Sequence, residues 1–137
     1  MPINKETHFD TSNKPTGLKR IALAMGNSIR AINWLTKHES AFRQEMLLLL
    51  LSLAILFYWD ISLPEKAVLL VSILFILFAE IVNTAIEATI DRVGLELNPL
   101  SGLAKDLGSA AVLIAILIGL ISWGTVIITH TGLLQDS

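Results

Sequence analysis

An uncharged stretch of 23 residues, 107–129, constrains this chain more than any other feature. About 20 apolar residues are enough for a helix to cross a bilayer, so this segment predicts a membrane span. The whole 137-residue chain agrees, because 53% of its residues are hydrophobic and only 16% are charged. Soluble domains carry about 25% charged residues. We therefore expect an all-α membrane protein, and the composition excludes a disordered or nucleic-acid-binding chain.

Two shorter apolar segments extend the pattern to three spans. Residues 46–59 and 67–79 contain no formal charge, but each is too short to cross a bilayer alone. The first becomes a full span if its helix begins earlier, and the second if its helix continues through Glu80 and Glu87. The predicted spans are then about 41–59, 67–90 and 106–129, and the second of them carries two carboxylates.

The region before the first span has a different pattern. Leu18, Ile21, Met25 and Ile29 share one helical face, which predicts an amphipathic helix at about 17–37 that lies on the membrane surface. A soluble helix that packs on the rest of the protein is the alternative. Residues 1–16 are polar and read as a tail, which leaves residues 17–137 as a single membrane domain.

The basic residues predict the orientation of the spans. Seven of the ten Lys and Arg lie in the first 45 residues, and two more lie between the second and third spans. Only Lys66 lies between the first and second spans. Since basic residues favour the cytoplasmic side, we expect a cytoplasmic N-terminus and a C-terminus on the outer side.

Polar residues recur along one sector of the second span. They follow helical spacing, and a polar stripe on a span must face protein or water rather than lipid. The stripe comprises Glu80, Asn83, Thr84, Glu87 and Asp91. Two interpretations stay open: a polar contact between helices, or a functional site.

Charged residues from three helix ends should meet at the cytoplasmic interface. Carboxylates suit Mg²⁺, basic side chains suit phosphates, and one buried carboxylate suits a general base. The residues concerned are Glu39, Arg43, Glu80, Glu87, Lys105 and Asp106. Lys105 and Asp106 have a simpler alternative interpretation, as charges at the start of a helix. The chain has no cysteine, no phosphate-binding G-x-x-x-x-G-K-[ST] loop and no H-R-D loop, so a common kinase design is excluded.

Three sequence blocks resemble the small bacterial integral-membrane diacylglycerol kinases. They read Glu-Ser-Ala-Phe-Arg-Gln-Glu at 39–45, Ala-Glu-Ile-Val-Asn-Thr-Ala-Ile-Glu-Ala at 79–88 and Ala-Lys-Asp-Leu-Gly-Ser-Ala-Ala-Val at 104–112. Their order and spacing are specific, and the resemblance runs from about residue 20 to residue 123. The second loop departs from the family pattern at Asn98, Pro99 and Leu103.

The resemblance implies a fold and a reaction. The family has a surface helix and three membrane helices, forms homotrimers with sites shared between subunits, and lies in the bacterial inner membrane. It transfers the γ-phosphoryl group of MgATP to diacylglycerol and produces phosphatidic acid. The expected partners are therefore ATP, diacylglycerol and the bilayer, with Mg²⁺ as cofactor and no nucleic acid.

The resemblance also implies residue roles. Glu80 would be the catalytic base, supported by Asn83, while Glu39 and Glu87 would hold the metal. The expected nucleotide contacts are Arg20, Glu39, Glu87, Glu96, Lys105 and Asp106. The expected lipid contacts are Arg20, Ser28, Ala41, Phe42, Arg43, Gln44, Glu45, Glu80, Ser109 and Trp123.

Two other functions fit parts of the pattern. An undecaprenol kinase of the same family would use the same chemistry on a different lipid alcohol. A membrane subunit without enzymatic activity would instead use Glu80 and Glu87 as an ion or proton relay. The outer half of every predicted span is apolar, which argues against such a path.

Overall fold

The computed structural model describes residues 16–132, and these residues form four helices. In chain order they are α1 (Gly17–His38), α2 (Ser40–Tyr58), α3 (Leu63–Val93) and α4 (Pro99–Thr131). The described part of the chain contains no strand, which confirms the predicted all-α class. The predicted polar tail lies outside the described residues except for Thr16.

The helix α1 belongs to a compact unit of its own, and residues from Glu39 onward form a second unit. α1 has 22 residues and ends one residue beyond the predicted boundary. Leu18, Ile21 and Met25 are exposed along its apolar face. This is the amphipathic pattern of a helix that lies at a membrane surface.

The helices α2, α3 and α4 are each long and apolar enough to cross a membrane. α3 has 31 residues and α4 has 33. At 1.5 Å per residue both exceed a hydrocarbon core of about 30 Å, so their ends extend beyond it. The prediction of three spans is confirmed.

The caps explain why α3 and α4 begin before the predicted spans. Ser62 and Glu65 form a capping box at the start of α3, four residues before the predicted boundary. At α4 the Asn98 side-chain oxygen accepts from the backbone N–H groups of Leu100 at 2.9 Å and Ser101 at 3.3 Å. Hydropathy indicates which residues lie in the hydrocarbon core, whereas capping residues determine where the helix begins.

The early start of α4 changes the interpretation of two charges. Lys105 and Asp106 lie almost two turns inside the helix and not at its first turn. Their interpretation as charges at the helix start is therefore wrong, because the dipole effect falls off within the first turn. The predicted spans leave residues 91–105 between them, and in the structure this connection is reduced to residues 94–98.

The helix α3 packs against both α2 and α4. Leu69 and Ala115 are fully buried in this core, with Ile73 and Ile76 beside them. α4 presents small residues to α3, and a Cβ atom on the buried Gly119 would lie 3.1 Å from Ile76 Cδ1. Small residues allow two membrane helices to approach closely.

Both ends of the α3–α4 pair carry a polar contact. At the end where α3 begins, His130 Nε2 lies 2.9 Å from Glu65 Oε1, and the His130 ring packs edge-on against Trp59. At the other end Lys105 Nζ lies 2.6 Å from Asp91 Oδ1. These contacts, together with the small residues between them, keep α3 and α4 in one register.

Candidate functional site

The polar stripe of α3 passes from buried to exposed along the helix. Glu80 and Asn83 are each only 8% exposed, Glu87 is half-buried and Asp91 is exposed. The prediction that the stripe avoids lipid is confirmed for its two most buried members. α2 and α4 of the same chain cover them, since those two helices flank α3.

The Asn83 side chain is tied to Glu87. Its Nδ2 atom donates a hydrogen bond to Glu87 Oε1 at 3.1 Å, within the same helix. In the structure the amide thus orients the carboxylate one turn further along α3. The expected support of Glu80 by Asn83 stays a prediction.

The carboxylate of Glu80 interacts with three others, and the four together are called the carboxylate cluster. They belong to Glu39, Glu45, Glu80 and Glu87. Glu80 experiences repulsion from Glu39 and Glu87, and Glu45 experiences repulsion from Glu80. Such a concentration of negative charge in a partly buried place favours a bound cation.

A single cation of α4 reaches this region from the other side. Lys105 forms the ion pair with Asp91 and also interacts electrostatically with Glu87. Its ammonium group is thereby held near the exposed end of the stripe. Lysine at such a place binds phosphate as a point charge.

An apolar groove of about 640 Å³ runs between α2 and α4, with α3 as its floor. Ala41, Gln44, Glu45 and Glu80 line its polar end, and Trp123 lies further along it. All five were predicted as lipid contacts. The groove therefore brings part of the predicted site together on an open apolar surface.

The sequence reasoning missed most of the groove wall. The additional lining residues are Leu48, Leu51, Ser52, Ile55, Ile73, Ile76, Val112, Ile116, Gly119 and Leu120. They are ordinary apolar or small residues of membrane helices, and hydropathy does not distinguish a groove wall from a lipid-facing surface. Only helical phase relative to Glu80 carries a signal for Ile73 and Ile76.

Two groups in the groove lack a hydrogen-bond partner among residues 16–132. They are Glu45 Oε2 and Trp123 Nε1, and both atoms are buried. A buried donor or acceptor without a partner is costly, so each is suited to a polar group of a ligand. One lies at the polar end of the groove and the other lies among its apolar walls.

Several predicted contacts lie elsewhere. Phe42 is only 2% exposed, belongs to the core of the helix bundle and does not line the groove, so its lipid contact stays a prediction. Arg43, Ser109 and Asp106 are exposed and do not line the groove. Glu96 is exposed in the turn between α3 and α4.

Arg20 and Ser28 belong to the separate unit of α1. Both are exposed there, and Ser28 Oγ donates to the Ala24 carbonyl oxygen of its own helix at 3.0 Å. Neither residue belongs to the unit that contains the groove and the carboxylate cluster.

The residues present fit a metal that arrives with a nucleotide better than a metal held by protein alone. Within the described residues no three Asp, Glu or His side chains are arranged to hold an ion. Glu39 is the N-cap residue of α2, and Glu87 is half-buried on α3. The carboxylates of both residues repel that of Glu80. Two carboxylates suit Mg²⁺ when substrate phosphates supply further oxygens.

Comparison with known proteins identifies the family. The family model described as prokaryotic diacylglycerol kinase matches residues 26–127. The diacylglycerol kinase of Escherichia coli K12 is 41% identical over 121 residues, which cover 88% of this chain and 99% of that protein. The diacylglycerol kinase of Pseudomonas aeruginosa is 42% identical over 113 residues, covering 82% and 92%. That of Haemophilus influenzae is 35% identical over 114 residues, covering 83% and 97%.

The matched region contains the whole carboxylate cluster and the whole groove wall. The curated relatives match over almost their full length. The chain belongs to the prokaryotic diacylglycerol kinase family.

Proposed function

We propose that this protein transfers the γ-phosphoryl group of MgATP to the free hydroxyl of diacylglycerol and so produces phosphatidic acid. The observation that carries the proposal is the position of Glu80. Its carboxylate is buried where the carboxylate cluster meets the polar end of the groove. A lipid alcohol and a water-soluble phosphate donor can meet only at such a boundary.

The groove suits the lipid. Its apolar walls would receive the acyl chains, while Gln44, Glu45 and Glu80 at one end would face the glycerol hydroxyl. The unpartnered Trp123 N–H would donate to an ester carbonyl oxygen deeper in the groove. Exposed Arg43 and Ser109 remain proposed contacts to the lipid headgroup region, with Ser28 and Arg20 contributed by α1.

The carboxylate of Glu80 would accept the proton of the lipid hydroxyl. The hydroxyl oxygen then forms a bond to the γ-phosphorus while the bond to the bridging oxygen of ADP breaks. Phosphoryl transfer needs mainly positioning and charge neutralisation from a protein. Positioning is provided by the buried site of Glu80, because α2 and α4 hold its carboxylate against the groove.

The nucleotide would lie at the exposed end of the stripe. Glu39 and Glu87 would hold Mg²⁺, which neutralises phosphate charge when it is bound. Lys105, already fixed by Asp91, would contact a phosphate oxygen. Glu96, Asp106 and Arg20 are the remaining proposed nucleotide contacts.

We also propose an orientation and an assembly. The N-terminus lies in the cytoplasm and the C-terminus in the periplasm of a cell with an inner membrane, as the basic residues favour. Three copies form the active protein, with each site built from two of them.

An ion relay is not supported by the outer half of α3. Ser72 is the buried polar residue there, and its hydroxyl donates to the Leu69 carbonyl oxygen at 2.7 Å. That hydrogen bond stays within one helix and leads to no further polar side chain. We therefore keep the lipid kinase as the proposed function.

The direct test is an assay of the purified protein with Mg²⁺ and labelled ATP. We expect label in phosphatidic acid when diacylglycerol is supplied, and much less product with undecaprenol. Product from undecaprenol alone would make this chain an undecaprenol kinase. No product from either lipid would refute the proposed function.

Glu80→Gln should lower turnover by about 10²-fold or more, since the amide has a similar shape but accepts no proton. MgATP binding, measured by calorimetry, should remain close to that of the unchanged protein. Near-normal turnover of the variant would remove Glu80 from the role of base.

Glu39→Gln and Glu87→Gln should each weaken the apparent affinity for Mg²⁺ and MgATP by about tenfold or more, because oxygen ligands of the metal are lost. The KM for diacylglycerol should stay unchanged. Glu65→Gln is the matched control, since its carboxylate lies at the opposite end of α3. A rise in the lipid KM alone would show that these two residues are not metal ligands.

Mixing two inactive variants tests the shared site. Arg20→Ala and Glu80→Gln, reconstituted together, should recover part of the activity, because some sites then combine an intact α1 with an intact α3. Glu80→Gln mixed with Glu87→Gln should recover none, since both changes lie on the same helix. If cross-linking confirms mixed oligomers and the first mixture stays inactive, each site is built within one chain.

A further inference from the structure

Gly108 of α4 lies directly against Asn83 of α3. Gly108 is buried, and a Cβ atom built on it would overlap Asn83 Oδ1 and lie 3.3 Å from Asn83 Cγ. The same atom would lie 3.7 Å from Asn83 Cα, which belongs to the backbone of α3. The contact is therefore set by how closely the two helices approach. Any larger residue at 108 must displace the Asn83 amide.

The Asn83 amide is not free to turn away. Its Nδ2 atom donates to Glu87 Oε1 at 3.1 Å, and an ionised carboxylate can only accept. The nitrogen must therefore face Glu87, which directs the oxygen towards Gly108. That oxygen is buried and has no hydrogen-bond partner within the described chain. Displacing it rotates the amide and breaks the hydrogen bond to Glu87.

We propose that Gly108 is a positioning residue for Glu87 and acts through Asn83. By lacking a Cβ atom it leaves space for the one amide orientation that presents a donor to Glu87. The inference rests on the proposed function, in which Glu87 is a ligand of Mg²⁺. Removing a residue that orients a metal ligand typically lowers metal affinity or activity by about 10-fold to 100-fold. A substitution at residue 108 should therefore measurably weaken the binding of nucleotide with Mg²⁺.

The first experiment compares two substitutions in α4. Gly108→Ala should weaken binding of an unreactive ATP analogue with Mg²⁺ by about tenfold or more, as measured by calorimetry. The KM for MgATP should rise, and the KM for diacylglycerol should not change. Gly124→Ala is the control, because nothing lies within 4 Å of a Cβ atom there. Equal nucleotide binding by the two variants would overturn the proposal.

The second experiment asks whether Gly108 acts through Asn83. Asn83→Ala alone should weaken analogue binding, since Glu87 loses its donor. Adding Gly108→Ala to that variant should change nothing further, because the amide it would displace is absent. If the two effects multiply instead, Gly108 acts on another part of the protein and the proposal fails.

If Gly108→Ala alone does not fold, the double variant Asn83→Ala with Gly108→Ala still tests the proposal. With Asn83 shortened there is space for the added methyl group, so the double variant should fold and bind the analogue like Asn83→Ala. A double variant that also fails to fold would show that Gly108 serves packing independently of Asn83, which contradicts the proposal. If the effect of Gly108→Ala does not depend on Asn83 but the unchanged protein phosphorylates diacylglycerol, the proposal about Gly108 fails and the proposed function is unaffected. An unchanged protein that phosphorylates no lipid refutes the function, whatever the binding measurements show.

Discussion

Keeping a carboxylate and an amide away from lipid in the middle of an apolar helix is the constraint on which the rest of this structure depends. A polar side chain at that depth must find protein or water. α3 meets the requirement by lying between α2 and α4, so that Glu80 and Asn83 are almost fully covered. The small residues of α4 follow from this, because only a close approach leaves no space for lipid at the stripe.

The two flanking helices are held to α3 in different ways. α4 is joined to it at both ends, by Glu65 with His130 and by Asp91 with Lys105, and by close packing of small residues between them. α2 packs on α3 through apolar side chains, with Phe42 and Leu56 buried. The carboxylates of Glu39 and Glu45 are therefore held near Glu80 by α2, independently of α4.

Much of this architecture was predictable from the sequence. Hydropathy identified three spans, and helical spacing placed Glu80, Asn83 and Glu87 on one covered sector. Hydropathy did not locate the helix starts, because Ser62 and Asn98 cap α3 and α4 outside the apolar segments. The burial of Phe42 was not predictable either, since an aromatic next to charged residues reads equally well as a core residue or a ligand contact. The groove and the Asn83–Glu87 hydrogen bond depend on how helices pack and on side-chain rotamers, which no spacing rule specifies.

The separation of α2 and α4 has a consequence for how the protein meets its lipid. The groove between these helices is open along its side, so a lipid can enter it without leaving the bilayer. Encounter is then a two-dimensional search within one leaflet. The quantity that controls occupancy is the mole fraction of the lipid in the membrane, and not its concentration in the bulk solution. If the amount of diacylglycerol is kept constant and inert phospholipid is added, its mole fraction in the membrane falls. Phosphorylation should then slow as much as when diacylglycerol itself is removed to the same mole fraction.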